Sequence, residues 1–545
     1  MAAKVKELLE RSVQLAGVRE NWNNYWEDVL YYSIPRKSYV TRKKQQGDRL
    51  PVDVYDSASI EALNTFAAGL HGYLTNPAAK WFNLRTEDRD LMDDKEVKVW
   101  LKDSEDKIYD TLNGSNFNQQ IHEIYLDFGS IGTCAMFIEE DEKDYVRFYA
   151  RPMREIYIDE NVRENVDVVY REFELTVRQC YQQWGKGCSQ ATVKKFDKNK
   201  FSDKIVILHS VEPRADYHPG KKDSKNMPFM SVYIEKEAKK KLSESGFRSF
   251  PYMVARANKE SGEIYGTSPA MQCFSDVKMV NRMGETNIRA AMKTVDPPLD
   301  TPHDGFMRPL NLNPGAVNYR NAGVPGIDNT VRPIQTGSNV PLGIELIERV
   351  EKKIHRAFFV DLFLSLAQRD PKMTATEVLS RKQESMLLLG PMLGRLMNEL
   401  LDPTVVRTFD VLAERGVIPP PPITLQERQT KLVIDYVSPL ARAQKMSEKQ
   451  SIDSVMGMVG ALGPVAPQVM DKIDIDAVID EVADLEGINP ELIRDKNEVK
   501  EIREARASAQ QAAQKLEAAN QGADIIQKSA SAAKDMKGAQ GENGA

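Results

Sequence analysis

Cysteine is scarce and basic excess is missing. Cys134, Cys180, Cys188 and Cys273 are the only thiols in 545 residues, and none shares a C-x-x-C spacing. So few in so long a chain make no disulfide framework, and isolated reduced cysteines are expected. The formal net charge is −6, whereas a surface built to grip phosphates carries a basic balance. Tight nucleic-acid binding by the whole surface is therefore excluded. Long apolar runs are also lacking. The longest, Ala357 to Ala367, has eleven residues and includes Asp361, too short to span a bilayer as a helix. Met1 to Glu7 opens an amphipathic helix without an apolar signal region, so no signal peptide and a cytosol-like compartment are expected.

Catalytic signatures fail in the same way. A phosphate cradle needs G-x-x-x-x-G-K-[ST], whose backbone amides wrap the phosphates. The nearest fragment, Trp184-Gly185-Lys186-Gly187-Cys188-Ser189, lacks the upstream glycine and the hydroxyl after lysine, and reads as a surface turn. The six histidines form no H-x-x-x-H pair for a metal. Gly129-Ser130-Ile131-Gly132 is not a nucleophile elbow. No catalytic residue, cofactor or metal is expected.

What is present is an ordinary soluble composition, 41% hydrophobic and 28% charged. The length implies several subdomains. Residues 2 to 32 repeat Val5, Leu8, Leu9, Val13, Ala16, Trp22, Trp26 and Val29 at helical spacing. Helices are predicted again over 57–74 and 93–112. Strands follow over 133–138, 146–150, 155–158, 166–174, 204–211 and 230–234, with a short helix over 177–184. Three lysine clusters, around Lys194, Lys221 and Lys239, are phosphate contacts or, more plainly, solvated loops.

The chain is organised around Pro269 to Gly416. A helix of 28 residues over 269–296, about 42 Å long, carries Met271, Phe274, Val277, Val280 and Ile288 at helical spacing. Pro297-Pro298 ends it, and an insertion rich in Gly and Pro follows to about 341. A second helix is predicted over 342–367, with Ile347, Val350, Ile354 and Phe358 on one face. Gln368-Arg369-Asp370-Pro371-Lys372 breaks it, and Thr374-Ala375-Thr376-Glu377 forms a capping box for a third helix, with a kink expected at Gly390-Pro391. A polyproline spacer, a strand over 431–437 and further helices, one of them over 476–485, complete the pattern.

Four stretches in this order carry a resemblance: Tyr265-Gly266-Thr267-Ser268-Pro269-Ala270, Val295-Asp296-Pro297-Pro298-Leu299, Met373-Thr374-Ala375-Thr376-Glu377-Val378, and Tyr436-Val437-Ser438-Pro439-Leu440-Ala441-Arg442. Together they resemble the head-to-tail connector (portal) proteins of short-tailed, podovirus-type bacteriophages, from roughly residue 10 to 500.

The resemblance implies an α+β, mainly helical portal-type fold. Its parts fall on this chain as a wing over 1–265, a first stem helix over 266–298, a clip over 299–341 and a second stem helix over 342–367. A channel loop over 368–373, a long kinked helix over 374–416, a linker and strand over 417–440 and a helical crown over 441–502 follow; the low-complexity stretch 503–545, rich in Ala, Gln, Lys and Ser, shows no motif of the family and is expected from its composition to be a flexible tail. It further implies a homo-oligomeric ring of about twelve copies at one capsid vertex. Its partners would be non-specific double-stranded DNA, a terminase-type packaging motor, tail proteins, and capsid and scaffolding proteins, with no membrane. Assembly in the host bacterial cytoplasm is implied as well. The acidic balance suits a conduit that surrounds DNA without holding it.

Candidate DNA-channel residues are Gln368, Arg369, Asp370 and Lys372 in the loop, with Lys278, Arg282, Arg289 and Lys293 on one face of the first helix. The plainer reading of that face is solvated charge; the alternative is pairing between subunits with Glu345, Glu348 or Glu351. Two other functions stand beside the portal: a nucleotide-driven packaging motor or nuclease subunit, disfavoured by the missing phosphate loop, and a monomeric capsid or scaffolding protein.

Overall fold

The computed structural model describes residues 2–42, 47–49, 53–88, 91–92, 94–218, 221, 223, 226–296, 299–300, 332–333, 340–367, 388–428, 431–437, 452–459, 474–486 and 498–512. In chain order it opens with α1 (Ala2–Ser33), α2 (Ala58–Tyr73), β1 (Phe82–Thr86), α3 (Lys95–Gly114) and α4 (Phe117–Ile131). Strands β2 (Thr133–Asp141), β3 (Tyr145–Arg151), β4 (Ile156–Glu160) and β5 (Val166–Thr176) lead to α5 (Val177–Trp184) and α6 (Gln190–Asp197). Then come β6 (Lys204–Pro213), β7 (Phe229–Glu235), β8 (Lys240–Phe247) and β9 (Tyr252–Arg256). Next are α7 (Pro269–Gln272), α8 (Phe274–Val295), β10 (Leu299–Asp300), β11 (Arg332–Pro333), α9 (Val340–Ala357) and α10 (Val360–Ala367). Helix 388–396 runs into a π-turn at Met397–Leu401 and then helix Asp402–Glu414; Ile423–Arg428, β12 (Leu432–Tyr436) and helix Ile475–Glu486 follow.

Two compact units result, one drawn from Met1–Phe82 and Asp106–Ile418, the other from Asn83–Glu105 and Pro419–Val437 with the helices beyond. Residue 265 lies within the first of these units. Within the first unit, β4-β5-β6-β7-β8 form an antiparallel meander, and β3-β2-β9 a second antiparallel sheet. Strand side chains alternate between faces. Met230, Val232, Ile234 and Leu208 therefore pack against Val5, Leu8 and Leu15 of α1. Ile205 and Ile207 face the other way, toward Val177 of α5.

The second sheet is backed by α4, which is not among the predicted helices. Phe117, Ile121, Ile124, Tyr125 and Phe128 are all buried on it. Its C-cap, Gly132, sits at φ 73, and a Cβ there would lie 2.5 Å from the Thr267 carbonyl carbon. A left-handed corner pressed against backbone admits only glycine. Also unanticipated were α6, β8 and β9.

In the second unit β1 pairs with β12. Arg85 meets Asp435 at 3.3 Å, and the Trp100 indole N–H donates to the Pro419 carbonyl at 2.9 Å.

Two helix expectations are corrected. The helix over 269–296 is interrupted at Cys273, leaving α8 with 22 residues, about 33 Å. Tyr25 Oη donates to the Met271 carbonyl at 3.3 Å, and the Phe274 ring packs on Tyr25, so one side chain of α1 touches both α7 and α8 at the break. The helix over 342–367 breaks between α9 and α10, where Phe359 takes φ 55. That turn lets Phe358 and Phe363 both meet Phe66 of α2, at 6.3 and 6.0 Å. Helical structure passes through Gly390-Pro391, and the departure from α geometry comes later, at the π-turn. The capping box Thr374–Glu377, most of the insertion and most of 441–502 lie outside the described residues.

His209 links the two sheets. Its ring stacks on Tyr233 at 4.0 Å, and its nitrogens meet Tyr252 Oη at 3.1 Å and Ser231 Oγ at 3.0 Å. Burial, then Arg171 and Arg151, hold its pKa well below the usual 6.5. The unfolded chain therefore takes up a proton near pH 6.5 that the folded chain refuses. Stability from this residue is full above that pH and falls below it. Replacing His209→Gln is expected to flatten the fall in unfolding free energy between about pH 7.5 and 5.5, by up to about 1.4 kcal/mol per pH unit. A wild-type pH slope in thermal denaturation of the variant would refute this.

Candidate functional site

The paired helices α8 and α9 hold most of the described charged candidates. Their placement begins at the corner preceding α7. Tyr265 is buried edge-on against Trp26 at 5.3 Å, and its hydroxyl accepts from the Ile158 amide at 3.3 Å. The Gly266 amide donates to Thr133 Oγ1 at 2.9 Å. Thr267 and Asn258 exchange backbone hydrogen bonds, at 2.7 and 3.1 Å. Ser268 is the N-cap of α7: its hydroxyl accepts from the Met271 amide at 3.0 Å and donates to the Ser130 carbonyl at 2.6 Å. Pro269 fills the first helical position, where a missing N–H costs nothing. The first resemblance stretch is thus the joint that aims the helix pair.

Helix α8 then rests on the segment before α2. Asn281 Oδ1 accepts the Tyr55 amide at 2.6 Å, and its Nδ2 donates to the Asp53 carbonyl at 3.2 Å. Helix α9 approaches α8 closely at Gly343, where a Cβ would lie 2.6 Å from Asn287 Oδ1. At the far end, β10 pairs with β11, Leu299 opposite Pro333 and Asp300 opposite Arg332, so the insertion leaves and returns at one point.

The α8 cations have carboxylates on the same chain. Lys278 reaches Asp28 at 3.0 Å and lies 4.5 Å from the Phe274 ring. Arg282 and Arg289 share Glu285, at 2.9 and 2.7 Å. Lys293 is exposed and has no ion-pair partner among the described residues. On α9, Glu345 pairs with Arg349 at 2.7 Å, and Glu348 is exposed. Glu351 instead faces Asp56, a carboxyl neighbour that residue spacing gave no means of finding. Burial raises the Glu351 pKa first, Asp56 raises it further, and His355 opposes. Gln368, Arg369, Asp370 and Lys372 lie outside the described residues.

Apolar side chains are exposed along both helices. Met279, Ile288, Met292 and Val295 on α8, and Leu342, Ile344 and Leu346 on α9, are each more than two-fifths accessible, Val295 as much as 87%. Apolar surface left open along two adjacent helices marks an interaction face. Among the described residues, no group of three or more His, Cys, Asp or Glu is placed to hold a metal, and no helix is long and apolar enough to cross a membrane.

A helix pair aimed by a rigid joint, with open apolar flanks, is the equipment of a structural assembly protein. The sequence matches the family described as bacteriophage head to tail connecting protein over residues 5–493. It is 35% identical over 532 residues to a probable portal protein of Bordetella phage BPP-1, covering 96% of this chain and 95% of that one. It is 32% identical over 536 residues to the portal protein of Salmonella phage epsilon15, covering 96% of each. The chain belongs to the bacteriophage head-to-tail connecting family.

The Glu351–Asp56 contact has a sign that can be tested. The folded state binds Glu351's proton more tightly than the unfolded chain, so its contribution is full below about pH 4.5 and lost as pH rises. The Glu351→Gln change is expected to raise the melting temperature at pH 7 to 8 and to have little effect near pH 4. A variant less stable than wild type at pH 8 would show that the carboxylate has a stabilising partner instead.

Proposed function

We propose that the chain is the portal of a bacteriophage head: a ring of about twelve copies at one capsid vertex. The ring would be the conduit for double-stranded DNA and the docking point for a packaging motor and for tail proteins. It would perform no covalent chemistry itself. The observation that carries this is the match along nearly the whole chain to head-to-tail connecting proteins, both named relatives being portal proteins or probable ones. The exposed apolar flanks of α8 and α9 support side-by-side packing of copies. On this reading α8 and α9 form the stem, and the insertion that starts and ends at β10 and β11 forms the clip. Assembly would take place in the host cytoplasm, and the finished ring would belong to the virion. A motor or nuclease subunit is the weaker reading, since the sequence offers no phosphate cradle.

Light scattering after size exclusion is expected to give a species near twelve times 61.6 kDa, about 740 kDa. A strictly monomeric protein across salt and concentration would overturn the ring.

Arg369 and Lys372 in the proposed channel loop would touch passing phosphates through a few weak, salt-sensitive contacts. Replacing 368–372 by a Gly/Ser linker of equal length is expected to leave ring assembly intact while packaging yield or retention of packaged DNA falls. Wild-type packaging and retention in that variant would remove DNA handling from this loop and leave the portal reading standing.

A further inference from the structure

Spacing alone gave no reason to connect Cys180 with Cys188, yet the fold puts their sulfurs 3.5 Å apart. Cys180 lies on α5, and Cys188 follows the three-residue turn Gly185–Gly187, next to Ser189, the N-cap of α6. Both side chains are buried in one cluster with Val177, Ile205 and Ile207. The other two cysteines, Cys134 and Cys273, are buried elsewhere and free.

We propose that Cys180 and Cys188 are a modification site: a dithiol that closes to an intramolecular disulfide when the protein meets an oxidant of the disulfide class, such as oxidised glutathione. Three features favour closure. The sulfurs are already in contact, so a bond of about 2.05 Å needs an approach of only about 1.5 Å. The intervening turn has two glycines and an exposed Lys186, so it is the piece of chain best able to yield. The two thiols are also unequal. The Cys188 S–H points to the Cys180 carbonyl at 3.4 Å, which leaves Cys180 to donate to the Cys188 sulfur. Lys240 Nζ donates to the Cys188 carbonyl at 2.8 Å, placing a positive charge on that side of the pair. Cys188 is thus the first nucleophile.

The reaction balances as a thiol–disulfide exchange. Local opening of the turn lets Cys188 lose its proton to solvent. Its thiolate attacks one sulfur of oxidised glutathione and expels a glutathione thiolate, leaving a mixed disulfide on Cys188. Cys180 loses its proton, attacks the Cys188 sulfur and expels the second glutathione. Two protein thiols are oxidised to one disulfide, and one glutathione disulfide is reduced to two thiols. Burial raises the pKa of both thiols, so closure is slow at neutral pH. A reducing compartment keeps the pair open, and an oxidising one closes it. The bond would tie α5 to the start of α6 across their shared core.

The test uses the full-length protein under native conditions. After exposure to oxidised glutathione, free thiols are blocked with iodoacetamide, and the denatured protein is digested with trypsin, which cuts after Lys186. The expected result is a disulfide-linked pair of peptides, Gln179–Lys186 with Gly187–Lys194, two hydrogens lighter than the separate thiol peptides. Alkylation at both positions should be nearly lost, while Cys134 and Cys273 stay fully alkylated. In Cys180→Ser, Cys188 is expected to stop at a glutathione adduct; in Cys188→Ser, Cys180 is expected to stay unmodified. Full alkylation of Cys180 and Cys188 after exposure overturns the proposal. So does linkage of either to Cys134, to Cys273 or to a second chain. Should either variant fail to fold, the wild-type peptide pattern decides alone.

Discussion

A buried guanidinium holds the first unit together. Arg256, at the end of β9, is 1% exposed, and a charge so placed is tolerable only with full compensation. It receives that from Glu160 at 2.6 Å, Glu399 at 2.8 Å and the Glu164 carbonyl at 2.7 Å. Glu399 also accepts the Arg256 backbone amide at 2.8 Å. The pKa of Arg256 is pushed down by burial, but Glu399 and then Glu160 more than reverse this, so the group stays charged. Removing one member of such a pair typically costs on the order of 3–5 kcal/mol, because the remaining charge is stranded. One side chain therefore fastens the second sheet, the end of β4 and the helix after residue 388 to each other.

The π-turn takes its meaning from this contact. Met397–Leu401 departs from α geometry just where Glu399 must reach Arg256. One extra residue in a turn rotates every side chain after it, and π-turns commonly sit where a side chain has a specific task. Beyond it, Arg407 lies buried and donates to the carbonyls of Ile138 and Ser249, at 3.1 and 2.8 Å. A single helix thus clamps β9 and the central strand β2 of the sheet that backs the joint before α7. The aim of α8 and α9 depends on the clamp, although none of its residues lies on either helix.

Periodicity made α1, α2, α3 and most strands legible, because each carries a regular apolar stripe. Helix α4 has such a stripe too, Phe117, Ile121, Ile124 and Phe128, and so was equally legible. Other features leave no local signature. The break at Cys273 has neither proline nor glycine, and lies where Tyr25 of α1 holds Met271 on one side of it and Phe274 on the other. Phe359 adopts a left-handed conformation no bulky residue prefers, held by two phenylalanines packing on α2. The contact between Cys180 and Cys188 depends on a three-residue turn, and that between Glu351 and Asp56 on helix packing. Tertiary structure decides such features, so residue order alone does not reveal them.

The charges on α8 bear on how a portal would treat DNA. Read as a row, Lys278, Arg282, Arg289 and Lys293 look like a basic strip. The fold sets Asp28 beside the first and Glu285 between the next two. Exposed pairs of this kind contribute little to stability, about 0–1 kcal/mol each. Their effect is on the local field, which they cut without abolishing. Full-strength phosphate contacts along a conduit would each release counterions and bind tightly, and summed over a ring they would arrest a moving polyanion. A strip half-neutralised by its own carboxylates avoids that, and so does an overall charge of −6. On the proposed reading, weak attraction is thus what the conduit requires: enough to keep the duplex centred and too little to hold it.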